Sequence, residues 1–269
     1  MSDPAVLTER RGAIFEITLN RPDKKNPFNP EMLVRLADAW DELDADPDLR
    51  VGIVTGAGGN FSAGADLDRL VGALLAGEEP ANEFEARLQA DLSIIWKGFL
   101  KEYQPTKPII AAVEGYCYAG GTEILQGFDV RVAGENAQIA ISEVCRGLFP
   151  MGGSAVRLPR QIPFTVASEM LLTGLPISGT RAAEVGLVGH AVPDGTALDV
   201  ARELAEAIAA NGPVAVRNIK ACIRESEFAP EAEAFEREMA LGMEVMGTKD
   251  AREGPKAFLE KRTPNFVGE

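Results

Sequence analysis

Ile109-Ile110-Ala111-Ala112-Val113-Glu114-Gly115-Tyr116-Cys117-Tyr118-Ala119-Gly120-Gly121-Thr122-Glu123 holds the reading of the fold. Residues 109–113 form an unbroken apolar run of strand length, as in strands buried on both faces. Small residues and an acid follow, and a short helix is expected near Gly121. The upstream stretch Val51-Gly52-Ile53-Val54-Thr55-Gly56 has the same plan and runs into Ser62-Ala63-Gly64-Ala65-Asp66. In both, a strand leads into a turn of residues too small to cover their own backbone. Such turns leave N–H groups open to a ligand oxygen, although each alone also reads as an ordinary tight turn.

Further out, Ala13–Leu19 reads as a strand closed by Asn20-Arg21-Pro22. Asn29, Pro30 and Glu31 mark a helix start, as cap, first helical residue and acid at the positive end of the dipole. Met32, Leu33, Leu36, Trp40 and Leu43 then recur at helical spacing, and the helix stops before Asp46-Pro47. A helical stretch over 66–103 is expected, broken by a loop near Gly77-Glu78-Glu79-Pro80. Strands over 130–133 and 138–141 precede helices over 154–162, 164–172 and 180–185. The alternation predicts an α/β core with parallel strands. The remainder reads as helix only: 201–210, stopped by Asn211-Gly212-Pro213, then 213–224 and 231–246. We therefore expect a core domain over 1–199 and a helical region over 200–269. The helical tail packs either on a partner subunit or on its own core.

With 269 residues, 46% of them hydrophobic, the chain has the means for a substantial core. A net charge of −14 argues against nucleic acid, which is bound through clustered Lys and Arg. Local basic clusters (Arg21, Lys24 and Lys25; Lys256, Lys261 and Arg262) still leave a polyanionic small molecule open. No apolar stretch reaches membrane-spanning length and the N-terminus has no signal-peptide pattern, so a cytoplasmic protein is expected. The three cysteines, Cys117, Cys145 and Cys222, lie far apart without CxxC spacing and read as buried reduced thiols. His190 is the one histidine; it reads as a structural residue at the end of a strand, and a His-rich metal site is excluded by count. Gly56-x-Gly58 does not complete a dinucleotide fingerprint, because Phe61 holds the third glycine position.

Glu123 and Glu143 are the candidate catalytic residues. Each sits just after a short apolar run and beside small residues. A glutamate in the first turn of a helix is also favoured by the dipole, and Glu143 also reads as a strand end. Together with the glycine turns, the pair suggests proton transfer beside an oxyanion site.

The ordered segments resemble the crotonase superfamily, the enoyl-CoA hydratase/isomerase family. The matching stretches are Leu19-Asn20-Arg21-Pro22-Asp23-Lys24-Lys25-Asn26, Phe61-Ser62-Ala63-Gly64-Ala65-Asp66-Leu67, Ala111-Ala112-Val113-Glu114-Gly115 and Ala119-Gly120-Gly121-Thr122-Glu123. They continue in Ala137-Gln138, Glu143, Gly147, Arg157-Leu158, Leu172-Thr173-Gly174 and Phe258-Leu259-Glu260-Lys261-Arg262. The resemblance implies a spiral of ββα units with a C-terminal helical trimerisation region, assembled as a homotrimer or homohexamer. It implies an acyl-CoA thioester substrate, with coenzyme A entering as part of the substrate and no separate cofactor. It places oxyanion-hole amides at Ala65 and Gly120 and substrate contacts at Lys24, Ala63, Asp66, Leu67, Phe258 and Lys261. It implies hydration of a trans-2-enoyl-CoA by the two glutamates. An isomerase of the same fold and a non-catalytic acyl-CoA-binding protein are the alternatives. The chain departs from the common pattern in Ile141-Ser142 before the second acid, in a Pro150-Met151-Gly152-Gly153 loop one residue short, and in Asp68 at a frequent lysine position. The first two touch the acyl pocket. Leu70, Leu74, Leu75 and Trp96 read either as core or as acyl-tunnel lining.

Overall fold

The run 109–113 is strand β4 (Ile109–Val113), and all of it is buried. Ile109, Ala111 and Val113 belong to one core cluster, Ile110 and Ala112 to another. This period of two is what a pleated strand imposes when both its faces are covered. In the computed structural model β4 lies inside a six-stranded sheet of order β1 (Val6–Arg11), β2 (Ile14–Leu19), β3 (Val51–Gly56), β4, β6 (Val130–Gly134), β9 (His190–Val192). Strands β2 to β9 pair in parallel and β1 is antiparallel to β2. The structure describes residues 3–72, 77 and 79–269.

Helix α1 (Pro30–Ala45) makes the crossover from β2 to β3. Asn29 caps it, its side-chain oxygen accepting the Met32 N–H at 3.0 Å, and Asp46 leaves it in an extended conformation. Met32, Leu33, Leu36, Trp40 and Leu43 are all fully buried. On the other face of the sheet, α8 (Ala197–Ala209) buries Ala197, Ala201 and Ala205, one turn apart, against Ile14, Val51, Ile53 and Ile110. Side chains this small let the helix lie close on the strands. Helix α8 spans position 199/200, so the core packing continues past that point.

Each pass of the chain leaves the large sheet and adds to a second layer. After β4 comes β5 (Tyr116–Tyr118), and after β6 comes β7 (Gln138–Ala140); the two pair in parallel, with β8 (Ile177–Ser178) antiparallel on β7. Leaving β3, Ser62 pairs with Cys117 and Ala65 pairs with Phe28. This is the expected ββα spiral. Helices α5 (Ser154–Gln161), α6 (Phe164–Thr173) and α7 (Gly179–Glu184) lie between β7 and β9. Helices α9 (Pro213–Ser226), α10 (Glu231–Met246) and α11 (Asp250–Glu260) follow α8. The C-terminal tail is tied back: Asp250 accepts the Val267 and Gly268 amides, and Arg50 donates to the carbonyls of Ala209 and Phe266. No helix among the described residues is long and apolar enough to cross a membrane.

Several elements differ from the sequence expectation. Strand β1 is exposed along nearly its whole length; its sequence carries no apolar alternation, and pairing with β2 makes it a strand. Where the sequence predicts one broken helix over 66–103, the described residues hold a π-helical turn (Leu67–Gly72), α2 (Glu83–Ala90) and α3 (Ser93–Gly98). His190 opens strand β9, rather than ending one, and is exposed. Cys145 is exposed and Cys222 half-buried, so only Cys117 is the buried thiol expected.

Candidate active site

Asn26 organises the first glycine turn. It takes up a left-handed conformation, φ 53°, which asparagine tolerates better than most residues. Its amide donates to the carbonyls of Ala57 and Asn60, and its own carbonyl accepts the Ser62 hydroxyl at 2.7 Å. The turn's amides then find acceptors one after another. Ser62 donates to Tyr116, Ala63 to Lys25, Gly64 to the Ser62 hydroxyl and Asp66 to Phe28. Ala65 is the exception. Its parallel pairing with Phe28 runs through the flanking Gly64 and Asp66, so its own N–H faces the other way and has no acceptor among the described residues.

The second turn presents an amide in the same manner. Ala119 stands before helix α4 (Gly120–Leu125) at φ 51°, ψ −120°. For a residue with a Cβ this is strained, at a cost on the order of 1–3 kcal/mol. The Ala119 amide is bonded to Ala140, and those of Thr122 and Glu123 return to Ala119. The Gly120 amide, at the open first position of the helix, has no acceptor among the described residues. The two turns touch: a Cβ built on Gly64 would lie 2.7 Å from the Ala119 Cβ and 3.3 Å from the Gly120 nitrogen. Ala65 and Gly120 both line one cavity of about 570 Å³.

Glu123 and Glu143 line that same cavity. Glu123 sits on α4 with its carboxylate against the start of α5, where the amides of Gly152, Gly153 and Ser154 point at it, the last at 3.4 Å. A Cβ on Gly152 would fall 2.7 Å from its Oε2, so the loop that cradles the acid has no room for a side chain there. Glu143 opens a 3-10 turn (Glu143–Arg146) after β7, and its Oε2 is buried without a hydrogen-bond partner among the described residues. The two carboxyls are close enough that each bears on the other's ionisation. Burial, and then the Glu143 charge, push Glu123 up to about 8, against the pull of the three amides. Burial raises Glu143 as well, opposed by hydrogen bonds and by the nearby Arg146. Two neighbouring buried carboxyls, both pushed up, favour one proton shared by the pair. Such an arrangement can supply one proton donor and one proton acceptor beside two amides open to an oxygen.

The other expected contacts divide. Ala63 and Leu67 line the cavity. Lys24, Phe258 and Lys261 are exposed and lie outside its lining. The Asp66 carboxylate is turned into the protein, paired with Arg21 at 2.8 Å and accepting the Arg69 amide. Burial works against its charge, but these partners hold it below the usual carboxylate range. Leu70 and Trp96 line the cavity and also pack on the core; Leu74 and Leu75 lie outside the described residues. Neither Cys117 nor Cys145 lines it, and burial pushes the Cys117 thiol up to about 12, which favours the protonated, unreactive form. Sequence reasoning placed the Gly152 loop at the acyl pocket and Ala119 in the second turn, but missed that Gly152 packs on the Glu123 carboxylate and that Ala119 is strained. The Gly152-Gly153 pair was the available signal for the first. For Ala119 there was none, since nothing local marks an alanine as left-handed.

The profile of the enoyl-CoA hydratase/isomerase family matches residues 9–269. The chain is 51% identical over 265 residues to enoyl-CoA hydratase EchA19 of Mycobacterium tuberculosis, covering 98% of this chain and 97% of that protein. It is 36% identical to a carnitinyl-CoA dehydratase of Salmonella enteritidis over the full length of both. Among solved structures it resembles enoyl-CoA hydratase EchA1 from Mycobacterium marinum, with a TM-score of 0.88 and 43% identity over 99% of this chain and all of that one. An enoyl-CoA hydratase from Bacillus anthracis superposes with a TM-score of 0.88 at 34% identity, over 98% of this chain and all of that one.

Proposed function

This chain belongs to the enoyl-CoA hydratase/isomerase family, and on that premise we infer that it is an enoyl-CoA hydratase. It adds water across the double bond of a trans-2-enoyl-CoA to give a 3-hydroxyacyl-CoA. The observation that carries the reading is the placement of Glu123 and Glu143 in one cavity with two amides, Ala65 and Gly120, that lack protein acceptors.

In our reading the thioester carbonyl oxygen accepts both amides, which hold it more tightly as it becomes enolate-like. Loss of one such donor typically costs about 10²–10³ in rate. The glutamates orient one water at C3. The ionised carboxyl takes a proton from it as its oxygen attacks, and the α-carbon is protonated from the same site. Positioned proton transfer contributes roughly 10²–10⁴. The chemistry consists of proton transfers and one C–O bond, so we propose that it needs no cofactor beyond the coenzyme A carried by the substrate.

We propose that Ala63 and Leu67 hold the coenzyme A portion from within the chain. Lys24, Phe258 and Lys261 complete its site from the surface, Phe258 from α11 of a neighbouring subunit and Lys261 from the cap that ends it. Their exposure away from their own cavity supports this, as do Ile219, Ile223, Phe235, Met239, Met243 and Met246, large apolar side chains exposed on α9 and α10. The proposed assembly is a homotrimer or a hexamer of two trimers, in the cytoplasm, with 200–269 as the oligomerisation region.

Loss of conjugated-enoyl absorbance with trans-2-enoyl-CoAs of several chain lengths tests the activity. No turnover at any length would overturn the reading. Glu143→Gln should abolish hydration, and full activity in that variant would remove the second acid from the mechanism.

A further inference from the structure

The cavity that holds the two glutamates is bordered by large apolar side chains that the fold leaves uncovered. Leu92 is 51% exposed, Met151 59% and Phe149 70%. They come from two walls. Leu92 stands at the start of α3, while Phe149 and Met151 stand on the loop before α5, immediately ahead of the Gly152 that packs on Glu123. Scattered exposed apolar residues are ordinary, but a cluster around one opening is not, because it keeps apolar area in water. Deeper in, Trp96 and Phe99 continue the same apolar lining. The volume, about 570 Å³, is roughly that of twenty liquid waters at ~30 Å³ each. A four-carbon acyl thioester brings only about six heavy atoms to it and would leave the rim wet.

We propose that this rim is the binding surface for the acyl group, and that the substrate class is enoyl-CoAs with a large apolar acyl group, medium-chain or longer. The inference rests on the hydratase reading and adds to it the part of the substrate remote from the reacting carbons. The occupant is the acyl chain because the rim is continuous with the catalytic cavity: the same opening holds the amides for the thioester oxygen and the acids for C3. A chain extending from those carbons lies along one wall or the other.

The experiment measures kcat/KM for trans-2-enoyl-CoAs of four, eight, twelve and sixteen carbons. A fully buried methylene is worth about fourfold in binding and a half-buried one about twofold. A twelve-carbon substrate should therefore exceed the four-carbon one by on the order of 10². In Phe149→Ser/Met151→Ser, and separately in Leu92→Ser on the opposite wall, the ratio of the two should fall by about tenfold. These side chains are exposed, so the folded core does not depend on them, and subunit mass by light scattering is followed in parallel. A wild-type profile that is flat or highest at four carbons overturns the proposal while leaving hydration standing. So does a ratio unchanged in both variants. A changed subunit mass with an unchanged ratio assigns the rim to a second copy of the chain instead. Absence of turnover at every length is a failure of the hydratase reading, distinct from these outcomes.

Discussion

Replacing Glu123 by glutamine should make the folded protein relatively more stable at high pH, and the size of the effect follows from the site. The carboxyl is buried, stands beside Glu143 and is pushed from 4.5 up to about 8. Below pH 4.5 it is protonated both folded and unfolded, and it carries no linkage. Between 4.5 and about 8 the unfolded chain releases this proton while the folded chain keeps it. Stability then falls with rising pH by up to about 1.4 kcal/mol per unit for this group. Above about 8 the penalty is complete and constant, a few kcal/mol in total. Glutamine keeps the shape and has no proton to lose. The stability difference, variant minus wild type, should thus rise from pH 5 to pH 8 by a few kcal/mol, whatever its starting sign. Acids other than Glu143 behave alike in both proteins and cancel, so the difference reports the Glu123–Glu143 pair. Guanidinium unfolding at pH 5, 6, 7 and 8, at matched protein concentration, reads it directly. A difference that is flat across that range would show that the pair holds no shared proton, and the electrostatic reasoning about the site would fail.

Gly152→Ala places a methyl 2.7 Å from the Glu123 carboxylate; kcat should fall by about 10² with KM little changed, as steady-state kinetics on one enoyl-CoA would show. Asn29→Ala removes the cap of α1. It should cost about 1 kcal/mol by denaturant midpoint, without altering kcat/KM beyond what partial unfolding explains.

What could be read from the chain, and what could not, follows from where the determining interactions lie. Helix α1 carries its cap, its proline and its stripe of buried side chains in one window, so its ends were legible to the residue. Strands β3 and β4 announce themselves because they are buried on both faces and written in apolar residues. Strand β1 is exposed, and its structure comes from pairing with β2, in a register that runs from Arg11 opposite Ile14 to Val6 opposite Leu19, with no apolar pattern in β1 itself. The π-helical turn at Leu67–Gly72 was read as ordinary helix because the two share much the same side-chain spacing over one turn. At the site, Ala63, Ala65, Leu67, Gly120, Glu123 and Glu143 do come together. Their spacing made the acids and the glycine turns suggestive, and their order along the chain made them a set. Asp66 was expected at the ligand but is engaged by Arg21, a partner 45 positions earlier that no local window contains. The exposure of Cys145 likewise depends on how the 3-10 turn after β7 sits against α6, a tertiary fact.

The parallel pairing of Ala65 with Phe28 has a consequence for any mutational scan of this protein. Both hydrogen-bond donors assigned to the thioester oxygen are main-chain atoms, so no single substitution at Ala65 or Gly120, proline aside, deletes them. The vulnerable positions are instead the residues that aim those atoms, and none of these presents a side chain to the substrate. They are Asn26, which ties the first turn together; Phe28, whose backbone turns the Ala65 N–H outward; and Gly64, at φ 96°, whose hydrogen holds a space that a methyl would close. A scan scored by activity should therefore light up, besides the two acids, a shell of scaffold positions around two oxygen-binding donors that themselves stay silent. A designer wishing to switch off oxyanion binding while keeping both acids would work on that shell.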